Sequence, residues 1–207
     1  MTTKEKLLAL LEDSKGTFFS GEEIARTLQV SRAAVWKAVN ALREDGYTID
    51  AVTNKGYRLS PDSDILSPQG IRRFLKSEYR GLNLTVLPTA PSTNALVREK
   101  ANQGCPEGCV IIACEQTAGR GRYGRQFFSP ADTGVYLSLL LRPTAYSPQQ
   151  ATCLTAAAAA AMCQAIEAVT GQHPGIKWVN DIFLHGKKVC GILTEAAVGL
   201  ETGTLNY

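Results

Sequence analysis

Residues 119–125 read Gly-Arg-Gly-Arg-Tyr-Gly-Arg. Three glycines in seven residues withhold the side chains that a helix or strand would pack, and they let the backbone turn tightly or approach a ligand closely. Arg120, Arg122 and Arg125 each carry a permanent planar fork suited to carboxylate and phosphate oxygens. Three fixed cations this close repel one another unless anions sit between them. The stretch therefore predicts a flexible loop that orders around a ligand bearing both kinds of oxygen. Gly119, Gly121 and Gly124 also satisfy the glycine spacing of a dinucleotide fingerprint. That fingerprint must open a helix, whereas Phe127-Phe128-Ser129-Pro130 follows here, so the dinucleotide fold is rejected.

At 207 residues and 44% apolar content the chain has room for one large domain or two small ones, each with a real core. A net charge of +3 is too small to prove a nucleic-acid partner. No uninterrupted apolar run reaches the ~18 residues of a membrane span, so none is expected. The opening Met-Thr-Thr-Lys-Glu-Lys does not resemble a signal peptide. Six cysteines occur, at 105, 109, 114, 153, 163 and 190, with no Cys-x-x-Cys pair. Cys105 and Cys109 lack the His or second Cys pair that a zinc site needs. Reduced thiols in a cytoplasmic protein are the plainer reading.

The first sixty residues predict a helical module. Leu7, Leu8 and Leu11 fall at helical spacing. Ser20 followed by Glu23 is a capping box that starts a second helix near Gly21 and carries it to about Leu28. After the short link Gln29-Val30, Ser31 caps a third helix, stopped near Gly46. Val35, Val39 and Leu42 face inward on it; Trp36 could read bases, but on so short a helix it is expected to fill the core beside Val35 and Val39. Arg32, Lys37, Asn40 and Arg43 project elsewhere. Tyr47–Val52 and Gly56–Leu59 then alternate as strands around the turn Asn54-Lys55-Gly56. Two helices on a tight turn followed by a hairpin form the winged helix-turn-helix pattern. Ser31, Arg32, Lys37 and Asn40 are its candidate DNA-binding residues, with Lys55 and Arg58 reaching phosphates from the wing. Nine Lys/Arg face eight Asp/Glu over residues 1–60. The placement of charge, rather than its total, carries the DNA reading against that of a three-helix protein-interaction module.

Ser60-Pro61-Asp62-Ser63-Asp64 marks a domain boundary. The expected organisation is a DNA-binding domain over 1–60, a linker over 61–66 and a second domain over 67–207. Ser67 and Pro68 open a short helix to Leu75, and Leu82–Leu87 reads as a strand. Pro91-Ser92-Thr93-Asn94 opens a helix to Ala101, whose first hydroxyls and N–H groups suit a polar ligand atom. Cys109–Cys114 is a buried-looking strand delivering Glu115 and Gln116 to the Gly/Arg loop. Gly134–Arg142 reads as a strand and Ser147–Thr170 as a long helix with six consecutive alanines. Lys177-Trp178-Val179-Asn180-Asp181 ends a strand in a turn. Ile182–Leu184 and Lys188–Glu195 pair through His185-Gly186. Lys188 enters an apolar strand and so needs an anionic partner. His185 is read as a turn residue and His173 as a surface one.

The loop Gly-Arg-Gly-Arg-x-Gly-Arg, then Lys-Trp-x-Asn-Asp, then Lys-x-x-Gly-Ile-Leu, together resemble a biotin protein ligase. The leading winged helix makes the chain similar to the bifunctional type, which is also the biotin operon repressor. The resemblance covers essentially the whole chain. It implies an α+β protein with a winged helix-turn-helix and a mixed-sheet α/β catalytic domain. It also implies biotin, ATP and Mg²⁺ as ligands and a biotin carboxyl carrier protein as acceptor. Operator DNA would be the second partner, bound by a homodimer that forms on binding biotinyl-AMP, with no membrane involved.

By motif position, Ser92, Thr93, Asn94, Gln116, Gly119, Arg120, Arg122 and Lys188 would bind biotin. Arg120, Arg122, Lys177 and Lys188 would be catalytic. Gly121, Gly124, Arg125, Phe127, Asn180 and Asp181 would meet the nucleotide, Asp181 as a Mg²⁺ or outer-sphere group. Pro91 stands where the family usually has Asp, and Phe127 where it usually has Trp. The family's sheet also continues beyond Gly203–Asn206 into further helices and a small β-barrel, so a C-terminally shortened member is expected. The alternatives are a winged-helix regulator with an inactive ligase remnant and a lipoate-type acyl ligase.

Overall fold

The computed structural model describes residues 1–143, 151–198 and 205–206. The chain divides into two compact units, Met1–Gly81 and Leu82–Tyr207. The division falls after Gly81, later than the expected linker at 61–66. Ile65 packs against the first unit's core, and Ser67 is buried.

In the first unit, α1 (Thr3–Asp13), α2 (Gly21–Leu28) and α3 (Arg32–Glu44) precede the hairpin of β1 (Ile49–Val52) and β2 (Gly56–Leu59). Each helix is capped by a hydroxyl. Thr2 forms a full capping box with Glu5, Ser20 accepts from the Glu23 N–H, and Ser31 accepts from the Ala34 N–H. Leu7, Leu11, Ile24, Val35, Val39, Leu42 and Leu59 form a core with almost no exposure. Gly56 makes the wing possible. Its φ is +96°, and a Cβ there would lie 2.0 Å from the Phe19 carbonyl oxygen. Helix α4 (Pro68–Arg72) follows, capped by Ser67. Buried Glu12 on α1 pairs with Lys15 at 4.0 Å and Arg73 at 3.7 Å, which balances its charge.

In the second unit, β3 (Asn83–Leu87) pairs in parallel with β4 (Cys109–Ala113), and β4 pairs antiparallel with β5 (Tyr136–Leu139). Between β3 and β4 runs α5 (Thr93–Asn102), which buries Val97 and Ala101 against Cys109, Ile111 and Leu140. Strand β5 is shorter than the expected 134–142. On it Ser138 is buried while Leu137 and Leu139 are exposed.

Helix α6 (Ala151–Thr170) holds the six alanines. Residues 147–150 of the expected helix lie outside the described residues. Cys153–Thr170 is long and apolar enough, by length and composition, to cross a membrane. The stretch is not an uninterrupted apolar run, since Thr155, Gln164 and Glu167 break it. The apolarity is mostly alanine, and Thr155 and Ala159 are its buried residues among those described.

A second sheet has the order β6 (Gly175–Lys177), β7 (Asp181–Leu184), β8 (Lys187–Gly191), antiparallel throughout. The β7–β8 turn uses His185 at φ 49° and Gly186 at φ 76°. Strand β8 stops at Gly191 rather than Glu195, and Lys187, Lys188 and Val189 are exposed rather than buried. A two-residue pair, β9 (Ala197–Val198) with β10 (Leu205–Asn206), completes the described strands; residues 203–204 of the expected last strand are outside them.

Candidate functional site

The segments after β3 and β4 run side by side. The Ala90 N–H donates to Glu115 O at 3.0 Å, and the Thr117 N–H donates to Ala90 O at 3.0 Å. This pairing carries Gln116 to the start of α5. The Thr93 N–H and Oγ1 both donate to Gln116 Oε1, at 2.8 and 3.1 Å. Gln116 Nε2 donates to Ser129 Oγ at 3.1 Å, and Ser129 Oγ to Phe127 O at 3.0 Å. Ser92 Oγ caps Ala95 at 3.4 Å. The groups expected to stand open for a ligand are thus partly tied to one another, with Gln116 as the hub.

Asn94 looks the other way. Its Nδ2 donates to Glu195 Oε2 at 2.9 Å and Leu193 O at 3.3 Å, and its Oδ1 accepts from Ser138. Its amide therefore braces the segment after β8. Arg98 approaches the same Glu195 at 3.8 Å.

The Gly/Arg loop is a tight hairpin with its own ladder. The Phe127 N–H donates to Gly119 O at 2.9 Å, and the Gly121 N–H donates to Arg125 O at 2.7 Å. A Cβ on buried Gly119 would meet Phe127 O at 2.6 Å, so close backbone approach requires glycine there. Gly121 has no such restriction, and the left-handed positions are Tyr123 (φ 58°) and Gly124 (φ 71°). Arg120 and Arg125 are exposed. Arg122 donates from Nη1 to Asn180 Oδ1 at 3.1 Å.

From Arg122 a polar chain continues. Asn180 Nδ2 donates to Asp181 Oδ1 at 2.9 Å, and Lys188 Nζ lies 2.7 Å from that same oxygen. Lys188 thus has the anionic partner expected of it, although its side chain is exposed and not buried. The Lys188 ammonium also stands 5.9 Å from the centre of the Phe127 ring. Lys177 is exposed and lies 5.6 Å from the Phe183 ring instead. A cleft of about 210 Å³ adjoins this chain, lined by Arg122, Asn180, Val179, Thr155, Ile192, Leu193 and Thr194.

Thr155 and Thr194 share a hydrogen bond of 2.7 Å. Sequence reading passed over both, although Thr155 is the polar residue directly before the alanine run. Ser138 and Glu195 were passed over too. Among the described residues, no three His, Cys, Asp or Glu side chains gather at one point.

In the first unit the expected DNA-facing residues divide. Arg32, Lys37 and capping Ser31 are exposed on α3, with Asn40 half-buried. Arg58 is already engaged. Its Nη2 and Nε donate to Asp50 Oδ2 at 2.6 and 3.0 Å, and its guanidinium covers the Phe18 ring at 4.6 Å. Lys55 lies 5.9 Å from the same ring. Trp36 corrects an expectation. It is 58% exposed, because Val35, Ala38, Val39 and Leu42 fill the inward face of α3 and leave the indole on the outer one.

Residues 86–203 match the Biotin/lipoate A/B protein ligase family, and residues 3–58 match an HTH domain. The chain belongs to the biotin/lipoate A/B protein ligase family. It is 44% identical, over 94% of its length, to the bifunctional ligase/repressor BirA of Bacillus spizizenii, and covers 59% of that protein. It is 34% identical to the protein of the same name from Escherichia coli, over 94% of this chain and 58% of the other. A solved biotin protein ligase from Aquifex aeolicus, in complex with biotin and ATP, is 30% identical with a TM-score of 0.45. That match covers 60% of this chain and 49% of the other. The chain thus spans about three-fifths of the length of the curated relatives it matches.

Proposed function

We propose that the chain is a cytoplasmic biotin–protein ligase that also represses biotin biosynthesis genes. The observation that carries the reading is the continuous polar chain Arg122–Asn180–Asp181–Lys188 beside the Gln116 hub, within a chain 44% identical to a bifunctional ligase/repressor. The six unpaired cysteines suit a reducing compartment.

In the first step a biotin carboxylate oxygen attacks the α-phosphorus of ATP. The bond from that phosphorus to the pyrophosphate oxygen breaks, and biotinyl-5′-AMP forms. Ser92, Thr93 and Gln116 hold the ureido end of biotin by exchanging part of their mutual bonding for the ligand. Asn94 braces the segment after β8 and lies beside them as a further biotin-contacting group. Arg120 and Arg122 face the carboxylate and phosphate oxygens, and Lys188 stands at the bridging oxygen, where negative charge grows in the transition state. Gly119, Gly121 and Gly124 allow the loop to close over the mixed anhydride and exclude water. Arg125, Phe127 and Asn180 line the nucleotide side, and Lys177 adds positive charge near it. In the second step a neutral lysine amine of the carrier protein attacks the acyl carbon, AMP leaves, and the amine loses a proton to give an amide.

Mg²⁺ would be held mainly by phosphate oxygens, with Asp181, whose Oδ1 already meets Lys188 and Asn180, as the acidic group that could join them. When bound it would offset phosphate charge.

The adenylate also serves as corepressor. It favours a homodimer whose two winged helices bind a palindromic operator, a coupling of ligand to loop order. The test is intact mass of a carrier domain incubated with the chain, biotin, ATP and Mg²⁺. A gain of one biotinyl group supports the ligase. No gain beside an active full-length relative would favour a winged-helix regulator with a silent ligase remnant.

A further inference from the structure

We propose that Trp36 is a base-contacting residue, laying its indole against thymine methyl groups in the major groove. This rests on the DNA-binding reading above. The starting observation is an aromatic side chain left 58% exposed on the second helix of a helix-turn-helix. Single exposed apolar residues are ordinary on protein surfaces. Position separates this one from them. Trp36 lies one turn after Arg32 and one turn before Asn40, with Ala33 and Lys37 beside it. The helix that presents it is the one that such folds place in the groove.

Two cations beside the hairpin serve the wing instead. Arg43, near the end of α3, donates to Ile49 O at 2.6 and 3.1 Å, and Arg58 is held by Asp50. What surrounds Trp36 is a set with distinct base preferences. Arg32 suits the guanine O6 and N7 acceptors, Asn40 suits adenine N6 and N7, and an apolar ring suits the thymine 5-methyl. The only acidic residue of α3 is Glu44, at its far end. A stripe of cation, indole, cation and amide matches a polyanion with apolar methyl groups at its floor. It matches an apolar protein partner less well, since charged and amide groups flank the indole on this face.

The test uses the full chain with biotin and ATP. A duplex is first selected from a randomised pool, and each thymine is then replaced by uracil, which removes only the methyl group. At one or two thymines next to the bases read by Arg32 or Asn40, affinity should fall by about three- to tenfold. Trp36→Ala should lose about tenfold on the thymine duplex and become indifferent to the uracil exchange at those positions. The slope of affinity against salt should stay unchanged, since no phosphate contact is removed.

The uracil series with the unaltered chain needs no variant to fold, and the exposed position predicts an unchanged melting temperature for Trp36→Ala. Uracil effects that persist undiminished in Trp36→Ala, or full affinity in that variant, would overturn the proposal and leave the indole to a protein partner. Failure of the unaltered chain to enrich any sequence would instead overturn the DNA-binding reading, and this role with it.

Discussion

The Lys188 ammonium lies 2.7 Å from Asp181 Oδ1, although the two residues are not opposite each other in the β7–β8 ladder. A register shift between Ile182 and Phe183 displaces the strands, and the lysine side chain reaches back along the sheet to close the pair. With side chains 40% and 23% exposed, the pair contributes little to stability. Its consequence is position, since it holds a cation next to Phe127 and within the chain that ends at Arg122. Lys188→Met should cut adenylate formation by about a hundredfold with nearly unchanged melting. Pyrophosphate release measures this, and a rate within a few-fold of the unaltered chain would remove Lys188 from the chemistry.

Gln116 connects three segments through one amide. Gln116→Leu leaves the buried Thr93 N–H without its acceptor and removes the donor to Ser129 Oγ, which keeps its own bond to Phe127 O. The variant should lose about 1–3 kcal/mol in urea unfolding and bind biotin much more weakly by calorimetry. Thr93→Ser keeps both donors and should resemble the unaltered chain in each measurement.

Glycines differ in what they tolerate. A Cβ at Gly56 would sit 2.0 Å from a backbone oxygen, whereas at Gly124 it would meet nothing, and only the positive φ opposes it. Gly124→Ala should therefore cost about 1 kcal/mol. Gly56→Ala should cost more than about 3 kcal/mol and unfold the first unit while the second persists. Circular dichroism and limited proteolysis distinguish the outcomes, and equal costs would contradict the wing geometry.

The two cations assigned to DNA should behave differently. Lys37 is exposed on α3, while Arg58 is spoken for by Asp50 and Phe18. Lys37→Ala should lower the slope of log affinity against log salt by about one. Arg58→Ala should leave that slope alone and destabilise the wing. A reduced slope for Arg58→Ala would show that the guanidinium leaves Asp50 to meet a phosphate.

Burial, then the neighbouring Cys105, raises the Cys109 thiol to about 11. The unfolded thiol titrates near its ordinary value of 9. Between those pH values the folded state holds the extra proton, so this group's contribution to stability falls as pH rises through the window. At pH 8 Cys109 should resist iodoacetamide while exposed Cys153 reacts. Peptide mass mapping reads both, and early labelling of Cys109 would contradict its burial.

Local chemistry was legible in the residues themselves. Hydroxyl caps at Ser20, Ser31, Ser67 and Ser92, the wing turn at Asn54-Lys55-Gly56 and the inward face of α3 all depend on neighbours within a few residues. The motif order around Arg120, Asn180 and Lys188 likewise points to one family. Tertiary structure decided which groups meet across long separations. It joined Gln116 to Thr93, Arg122 to Asn180 and Asn94 to Glu195, and it withdrew Arg58 to Asp50. It also turned Trp36 outward, because four smaller apolar side chains already filled the space an indole would need. Spacing along a chain states which face a residue occupies. Only packing states whether that face has room left and which distant partner arrives to satisfy it.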